Sequence, residues 1–261
     1  VSARTANVAP KPFPPVPAAF LGVWQRTLLE GPGMVADTTS AVFWLQTPHW
    51  HGDVRVPAAR PDFYGCTALA QCTPAQRQWL AGQKGFAGLT EVTERTVAPA
   101  AAASAQPIAA ADTGAITCCQ WHRQVDFQPA RPDRDFGRIV FFDNGAALDE
   151  FGVDAAYRET WVRLPHSVGP TDAWRRAADG FGELLLVAGA CFFYLRDRRQ
   201  PLPAANDLLA LSHRDDAPAL LDMELSFGRW DIGAAAGEIS HSTLPWREGK
   251  ALAFGSGWSP V

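Results

Sequence analysis

No run of apolar residues in this chain is long enough to cross a bilayer as a helix. The longest, Leu184 to Leu195, covers about 12 residues, whereas a spanning helix needs about 20. A basic-then-apolar leader is also lacking: Val1 to Pro17 is a Pro/Ala-rich polar stretch, expected to form a flexible arm. The Lys and Arg residues are scattered and the net charge is −4, which argues against nucleic acid, because that partner needs clustered cations to displace its counterions. The five cysteines show no C-x-x-C spacing, so they read as reduced, buried thiols rather than a zinc site or a disulfide framework. These absences predict a cytoplasmic protein with neither a membrane nor a nucleic-acid partner.

Linear enzyme signatures are missing as well. There is no G-x-S-x-G, no H-E-x-x-H and no P-loop. Gly255-Ser256-Gly257-Trp258 has neither the Lys nor the following helix that a phosphate cradle requires. His49 and His51 flank Trp50 at a spacing that suits a strand chelate, but a third ligand is not visible and an origin in the loop after Pro48 is expected. No metal and no cofactor are therefore indicated. A barrel enzyme assembled from side chains on different strands leaves no linear motif; His122 with Asp126 is the pair to test for that reading.

What is present is aromatic and apolar. Ten Trp and fifteen Phe accompany a 47% apolar content with 19% charged residues, material for sheets with wide, well-filled faces. Phe20 to Leu29, Thr38 to Thr47 and Asp53 to Val56 alternate or are β-branched and read as strands. Thr73-Pro74 with Gln76 forms a capping box and predicts a helix from Pro74 to Gln83, placed as a lid over one end of a barrel. Ala98 to Ala111 is an Ala/Pro/Ser-rich loop. Ile116 to Phe127 reads as one long strand, with Cys119, Trp121, Arg123, Val125 and Phe127 on a common face. Gly182 to Arg196 reads as one strand or a strand pair, with Gly189 as the place for a bend, and Asn206 to Leu211 is a short helical patch. Helices are few and the class is all-β.

A repeat organises this pattern. Phe20-x-x-x-Trp24-x-Arg26 matches Tyr157-x-x-x-Trp161-x-Arg163, and Trp121-x-Arg123 matches Phe227-x-Arg229. Gly137-x-Ile139 then matches Gly237-x-Ile239 and Glu150 matches Glu248, and these four ordered correspondences predict an internal duplication. The expected organisation is an arm over 1–17 and two antiparallel barrels over 18–149 and 150–261, with Trp24 superposing on Trp161.

Phe20-Leu21-Gly22-Val23-Trp24-Gln25-Arg26 resembles the Gly-x-Trp opening of lipocalin-like barrels. With Trp44-Leu45-Gln46-Thr47-Pro48, Asp53-Val54-Arg55-Val56-Pro57, Trp121-His122-Arg123 and Glu159-x-Trp161-x-Arg163, the chain resembles the Hri1 family over roughly Ala19 to Trp246. The resemblance implies two lipocalin-like β-barrels and assigns no catalytic residue. Thr160 stands where the second half would need Gly before Trp161.

Aromatic-x-Arg pairs place both side chains on one strand face. Trp24, Arg26, Trp44, Trp121, Arg123, Trp161, Arg163 and Arg229 are therefore the candidate ligand-binding residues. The expected activity is non-enzymatic binding of a small, largely apolar molecule, with room for a carboxylate, inside a barrel cavity. An interaction scaffold whose barrels are filled by their own aromatics is the rival. Buried Arg side chains need partners, and Glu150, Glu159, Asp126 and Glu224 are the nearest in pattern. Oligomeric state is not legible.

Overall fold

A computed structural model describes residues 12–96, 115–178, 181–231, 236–252 and 255–261. Eight antiparallel strands close a barrel in chain order: β1 (Gly22–Glu30), β2 (Ala41–Gln46), β3 (Trp50–Val56), β4 (Lys84–Thr96), β5 (Ala115–Asp126), β6 (Asp135–Phe142), β7 (Ala147–Gly152) and β8 (Arg158–Arg163). Seven further strands, β9 (Thr171–Arg176), β10 (Glu183–Ala188), β11 (Cys191–Arg196), β12 (Glu224–Asp231), β13 (Ala236–Ser242), β14 (Ala251–Leu252) and β15 (Ser259–Pro260), form a second sheet. Its order is β14-β13-β12-β11-β10-β9-β15, and it does not close.

The chain is thus all-β, but its organisation departs from a duplicated pair of barrels. Strand β8, which carries Trp161 and Arg163, completes the first barrel by pairing with β1, with Trp24 opposite Arg163 and Arg26 opposite Trp161. Trp24 and Trp161 are therefore neighbours in one sheet rather than equivalents in two. The expected boundary between residues 149 and 150 falls inside β7. The motif repeats because both strands present the same inward alternation to one interior, and period-2 patterning does not say which strands pair. Gly22 differs from Thr160 for a local reason. Gly22 has φ +120° and a Cβ there would meet the Ser167 hydroxyl at 3.0 Å, whereas Thr160 sits in extended strand and donates its hydroxyl to Asp149.

Alternation divides each barrel strand between two cores. Trp24, Val42, Trp44, Phe86, Cys119, Trp121, Ile139, Leu148 and Trp161 fill the interior. Val23, Phe43, Leu45, Val54 and Ala87 point outward into a larger cluster shared with Leu184, Leu186, Phe193, Leu195, Leu225 and Phe227 of the second sheet. Phe43 and Phe227 stack there at 4.2 Å. The opposite face of the second sheet gathers Leu185, Phe192, Tyr194, Ile239 and Leu252.

The helix over Pro74–Ala81 (α1) forms with its capping box intact: the Gln76 backbone N–H donates to the Thr73 hydroxyl and the Thr73 backbone N–H to the Gln76 side-chain oxygen Oε1. It is not a lid, because its buried Leu80 and Ala81 join the cluster outside the barrel. The bend at Gly189 is present between β10 and β11. The patch over 206–211 is reduced to a 3-10 turn at Leu209–Leu211, followed by a one-turn helix, α2, at Ala217–Leu220. Of the expected arm, residues 1–11 lie outside the described residues. In the remainder two residues are anchored: Val16 is buried and its N–H donates to the Pro48 carbonyl, and Phe13 stacks on His122 at 4.4 Å. The Ala98 to Ala111 stretch also lies outside the described residues. Among those residues no helix is long and apolar enough to cross a membrane.

Candidate ligand site

The barrel interior has an aromatic end and a charged end. At the aromatic end Trp44 packs against Trp24, Trp121 and Trp161 with ring centres 5.4–6.2 Å apart. Arg163 covers this end, its guanidinium carbon 5.2 Å from the Trp24 ring centre and Nη1 reaching the Ala19 carbonyl at 3.4 Å. It thus seals the neighbouring strand's Trp, not its own. The space left between the aromatic and charged ends is about 10 Å³, bounded by Trp44, Asp53, Arg55, Phe86, Trp121, Asp135, Glu150 and Trp161. That is room for about one water.

Above the Trp layer the inward positions turn ionic. Arg26 donates to Glu159 at 2.7 Å and to Asp37 at 2.6 Å, and Arg55 donates to Asp53 at 2.8 Å and to Glu159 at 3.2 Å. Glu159 thus bridges two cations from β1 and β3. Glu150 lies opposite Glu159 in register and accepts the Tyr157 hydroxyl at 2.7 Å. A Cβ on Gly137 would meet the Glu150 side chain at 2.8 Å, so glycine makes the space that Glu150 occupies. Burial, then the nearby Glu159 and Asp135 carboxylates, push the Glu150 carboxyl well above its ordinary range. Burial likewise raises Asp53, against the pull of Arg55. Burial opposes the charge on Arg55, but Asp53 and Glu159 outweigh it and hold the guanidinium firmly protonated. For Asp37, burial is outweighed by hydrogen bonds from Ser40 and Thr39 and by the Arg26 charge, and its carboxyl is lowered.

The charged end opens into a pocket of about 340 Å³ at the barrel mouth. A β-bulge builds it. Between Ala87 and Gly88 of β4 the register with β5 shifts, so one extra residue turns the face of β5 over. Cys119 and Trp121 therefore point inward and Arg123 into the mouth, while Val125 and Phe127 join the cluster shared with the second sheet, Val125 also bordering the mouth. The expected common face for all five breaks at this bulge. Arg123 lies over Phe86 with its guanidinium carbon 3.7 Å from the ring centre, and it donates to Asp126 and Asp135 at 2.7 Å each. Its plane is thus fixed from both sides.

Around that platform stand Arg55, Lys84, Arg131 and Arg134 with Asp126, Asp133 and Asp135; the apolar lining is limited to Phe86, Val125, Pro129 and Ala130. Arg134 pairs with Asp154 outside the pocket. Lys84 and Arg131 make no ion pair or side-chain hydrogen bond among the described residues. Lys84 stands at the exposed rim, yet the surrounding protein, then the charges of Arg55, Arg131, Arg26 and Arg123, lower its pKa.

Of the residues expected to bind ligand, Trp24, Trp44, Trp121 and Trp161 are buried packing, Arg26 is a buried ion-pair partner, and Arg163 is a seal. Only Arg123 lines the pocket. Arg229 is exposed on the second sheet, opposite Cys191 and Glu238, far in the topology from the mouth. The partners named for the motif arginines fall into place for Glu159 with Arg26 and Asp126 with Arg123; Glu224 instead pairs with Arg247. His122 is hydrogen-bonded to Glu91 at 3.0 Å, not to Asp126. His51 belongs to β3 rather than to a loop, fully buried with Nδ1 against Thr90 at 3.0 Å; burial, then Arg123 and His122, lower its pKa. Lys84 and Arg131 carry no signal in the sequence, because neither sits in an aromatic-x-Arg motif.

No protein-family model matches the chain, and no curated protein sequence matches it. Among solved structures the chain is similar to the crystal structure of the uncharacterized protein YLR301w from Saccharomyces cerevisiae. The two are 12% identical, the match covers 85% of this chain and 84% of that one, and the TM-score is 0.48.

Proposed function

We propose that this chain is a non-enzymatic binding protein of the Hri1 type whose ligand is a small, planar, anion-bearing molecule held at the barrel mouth. The family assignment rests on the Gly22-Val23-Trp24 opening and the Trp44, Asp53, Trp121 and Glu159 motifs. One observation supports the ligand above all: a pocket of about 340 Å³ contains a clamped guanidinium platform, Arg123, beside two cations, Lys84 and Arg131, that have no carboxylate partner among the described residues. A planar ring stacks on a fixed guanidinium face, and a carboxylate or similar anion pairs with the free cations. The mixed lining replaces the largely apolar site expected from the aromatic content, because those aromatics are spent filling the barrel. The proposed compartment is the cytoplasm.

Native mass spectrometry of protein purified from its host tests this reading. The wild-type chain should carry a small molecule that the Lys84→Met/Arg131→Met variant loses. Retention by that variant, or no retained molecule on the wild type, overturns the proposal. The second outcome favours the scaffold reading, which the filled aromatic end of the barrel also supports.

A further inference from the structure

The connection from β3 to α1 brings two thiols into contact. From Phe63 to Cys72 every third residue is buried, namely Phe63, Cys66, Leu69 and Cys72, and the residues between them are exposed. The 3-10 turn Leu69–Gln71 folds the chain back on itself. Cys66 Sγ and Cys72 Sγ then lie 3.3 Å apart, each 3.8 Å from the Ala68 carbonyl oxygen. The other cysteines are placed differently: Cys118 and Cys119 are sequence neighbours on opposite faces of β5, and Cys191 is buried at the start of β11.

We infer that Cys66 and Cys72 are a reversible disulfide site. Sulfur atoms at contact distance on a short turn need only a small rotation to bond, since the backbone has already closed the loop. The position gives the bond a structural consequence. Cys72 precedes the N-cap Thr73 of α1, and the buried side of the segment joins Leu208, Leu211, Leu220 and Leu221 from the second half of the chain. Oxidation therefore ties together a strap that packs between the barrel and the second sheet's connections.

The reaction is thiol–disulfide exchange with a small disulfide oxidant such as oxidised glutathione. One cysteine thiolate attacks an oxidant sulfur and releases one reduced thiol, leaving a mixed disulfide. The second cysteine gives up its proton, attacks the protein sulfur of that mixed disulfide and expels the second thiol. Two protein S–H bonds are lost, one S–S bond is made, and the oxidant takes both electrons. Burial, then the hydrogen bond and charge of Cys66, push the Cys72 thiol up to about 12. Exchange on the folded chain is accordingly slow and is governed by opening of the turn.

The experiment treats the full chain with oxidised glutathione in two ways, folded and during refolding from the reduced, denatured state. Intact mass, counting of alkylatable thiols and peptide mapping follow. The refolded protein should lose two hydrogens in mass, keep Cys118, Cys119 and Cys191 alkylatable, and yield a peptide linked through Cys66 and Cys72. Its thermal midpoint should exceed that of the reduced form by about 5 °C, the scale for a short closed loop in a chain of this size. The folded sample should reach the same product more slowly. Cys72→Ser should stop at a glutathione adduct on Cys66, whereas Cys118→Ser should oxidise like the wild type. If all five thiols of the refolded wild type stay alkylatable, or if other cysteines pair, the inference is overturned.

Discussion

The two ends of the barrel are built from the same strands by the same alternation and are held by different physics. At the aromatic end four Trp rings and a covering Arg163 pack without polar demands beyond an occasional indole N–H. At the charged end Arg26, Arg55, Asp53, Glu150 and Glu159 occupy equivalent inward positions two residues along their strands. Dispersion and hydrophobic burial are tolerant of reshaping, but a buried charge is satisfied only by a specific partner. The aromatic end therefore closes the barrel, and the charged end keeps an organised opening beneath a pocket.

The sharpest way to break this contrast is to truncate one member at each end. Glu159→Ala leaves Arg26 and Arg55 without their shared carboxylate and should cost about 3–5 kcal/mol. Trp44→Ala opens a cavity among four aromatic neighbours and should cost about 3–5 kcal/mol by the different route of lost packing. Denaturant unfolding measures both. Restoring bulk separates them: Trp44→Phe should recover part of the loss, whereas Glu159→Leu should not, because volume does not pair a charge. Equal recovery at both ends would erase the distinction.

A pH series probes the charged end alone. Glu150 is raised in the folded state by burial and by Glu159 and Asp135, so the fold holds a proton there that the unfolded chain has released. Its contribution is complete below the unfolded value near 4.5 and falls away as pH rises through the folded value. Glu150→Gln should flatten that decline and gain on the wild type as pH increases. Parallel stability–pH curves for the two proteins would contradict it. Asp37, lowered by its hydrogen bonds and Arg26, acts in the opposite sense and loses its contribution only in acid.

Smaller effects calibrate the comparison. Thr73→Ala removes the helix cap and should cost about 1 kcal/mol. Arg163→Met keeps the stem over Trp24 and removes the cation, so the loss should be about 0.5–1 kcal/mol at this half-exposed site. Ligand retention should not change in either variant, because neither residue lines the mouth. A change with Arg163→Met would mean that the seal and the pocket are coupled.

Much of the local structure is legible in the residues. The capping box at Thr73 marks the start of α1, and Gly189 marks the turn between β10 and β11. Inward Trp and Arg in Trp24-x-Arg26 follow from strand alternation, as does the pairing of Arg26 with a carboxylate. The repeated motif was misleading for a definable reason: two antiparallel neighbours lining one interior show the same pattern as two copies of one strand. The bulge beside Gly88 is similarly silent, since a strand with an extra residue reads as uninterrupted alternation, yet it parts Trp121 in the barrel interior from Val125 in the outer cluster.

An all-β chain, its aromatic core material and the local geometry of its turns and cap follow from the order of residues, because these depend on φ/ψ preferences and on spacing along one segment. Closure of β8 on β1, the sharing of Glu159 by Arg26 and Arg55, and the meeting of Lys84 and Arg131 around the Arg123 platform arise only in the folded barrel. Those arrangements depend on register and closure between distant strands. A two-residue period fixes the face a side chain takes and leaves its neighbour across the sheet to be set by the packing of the whole barrel.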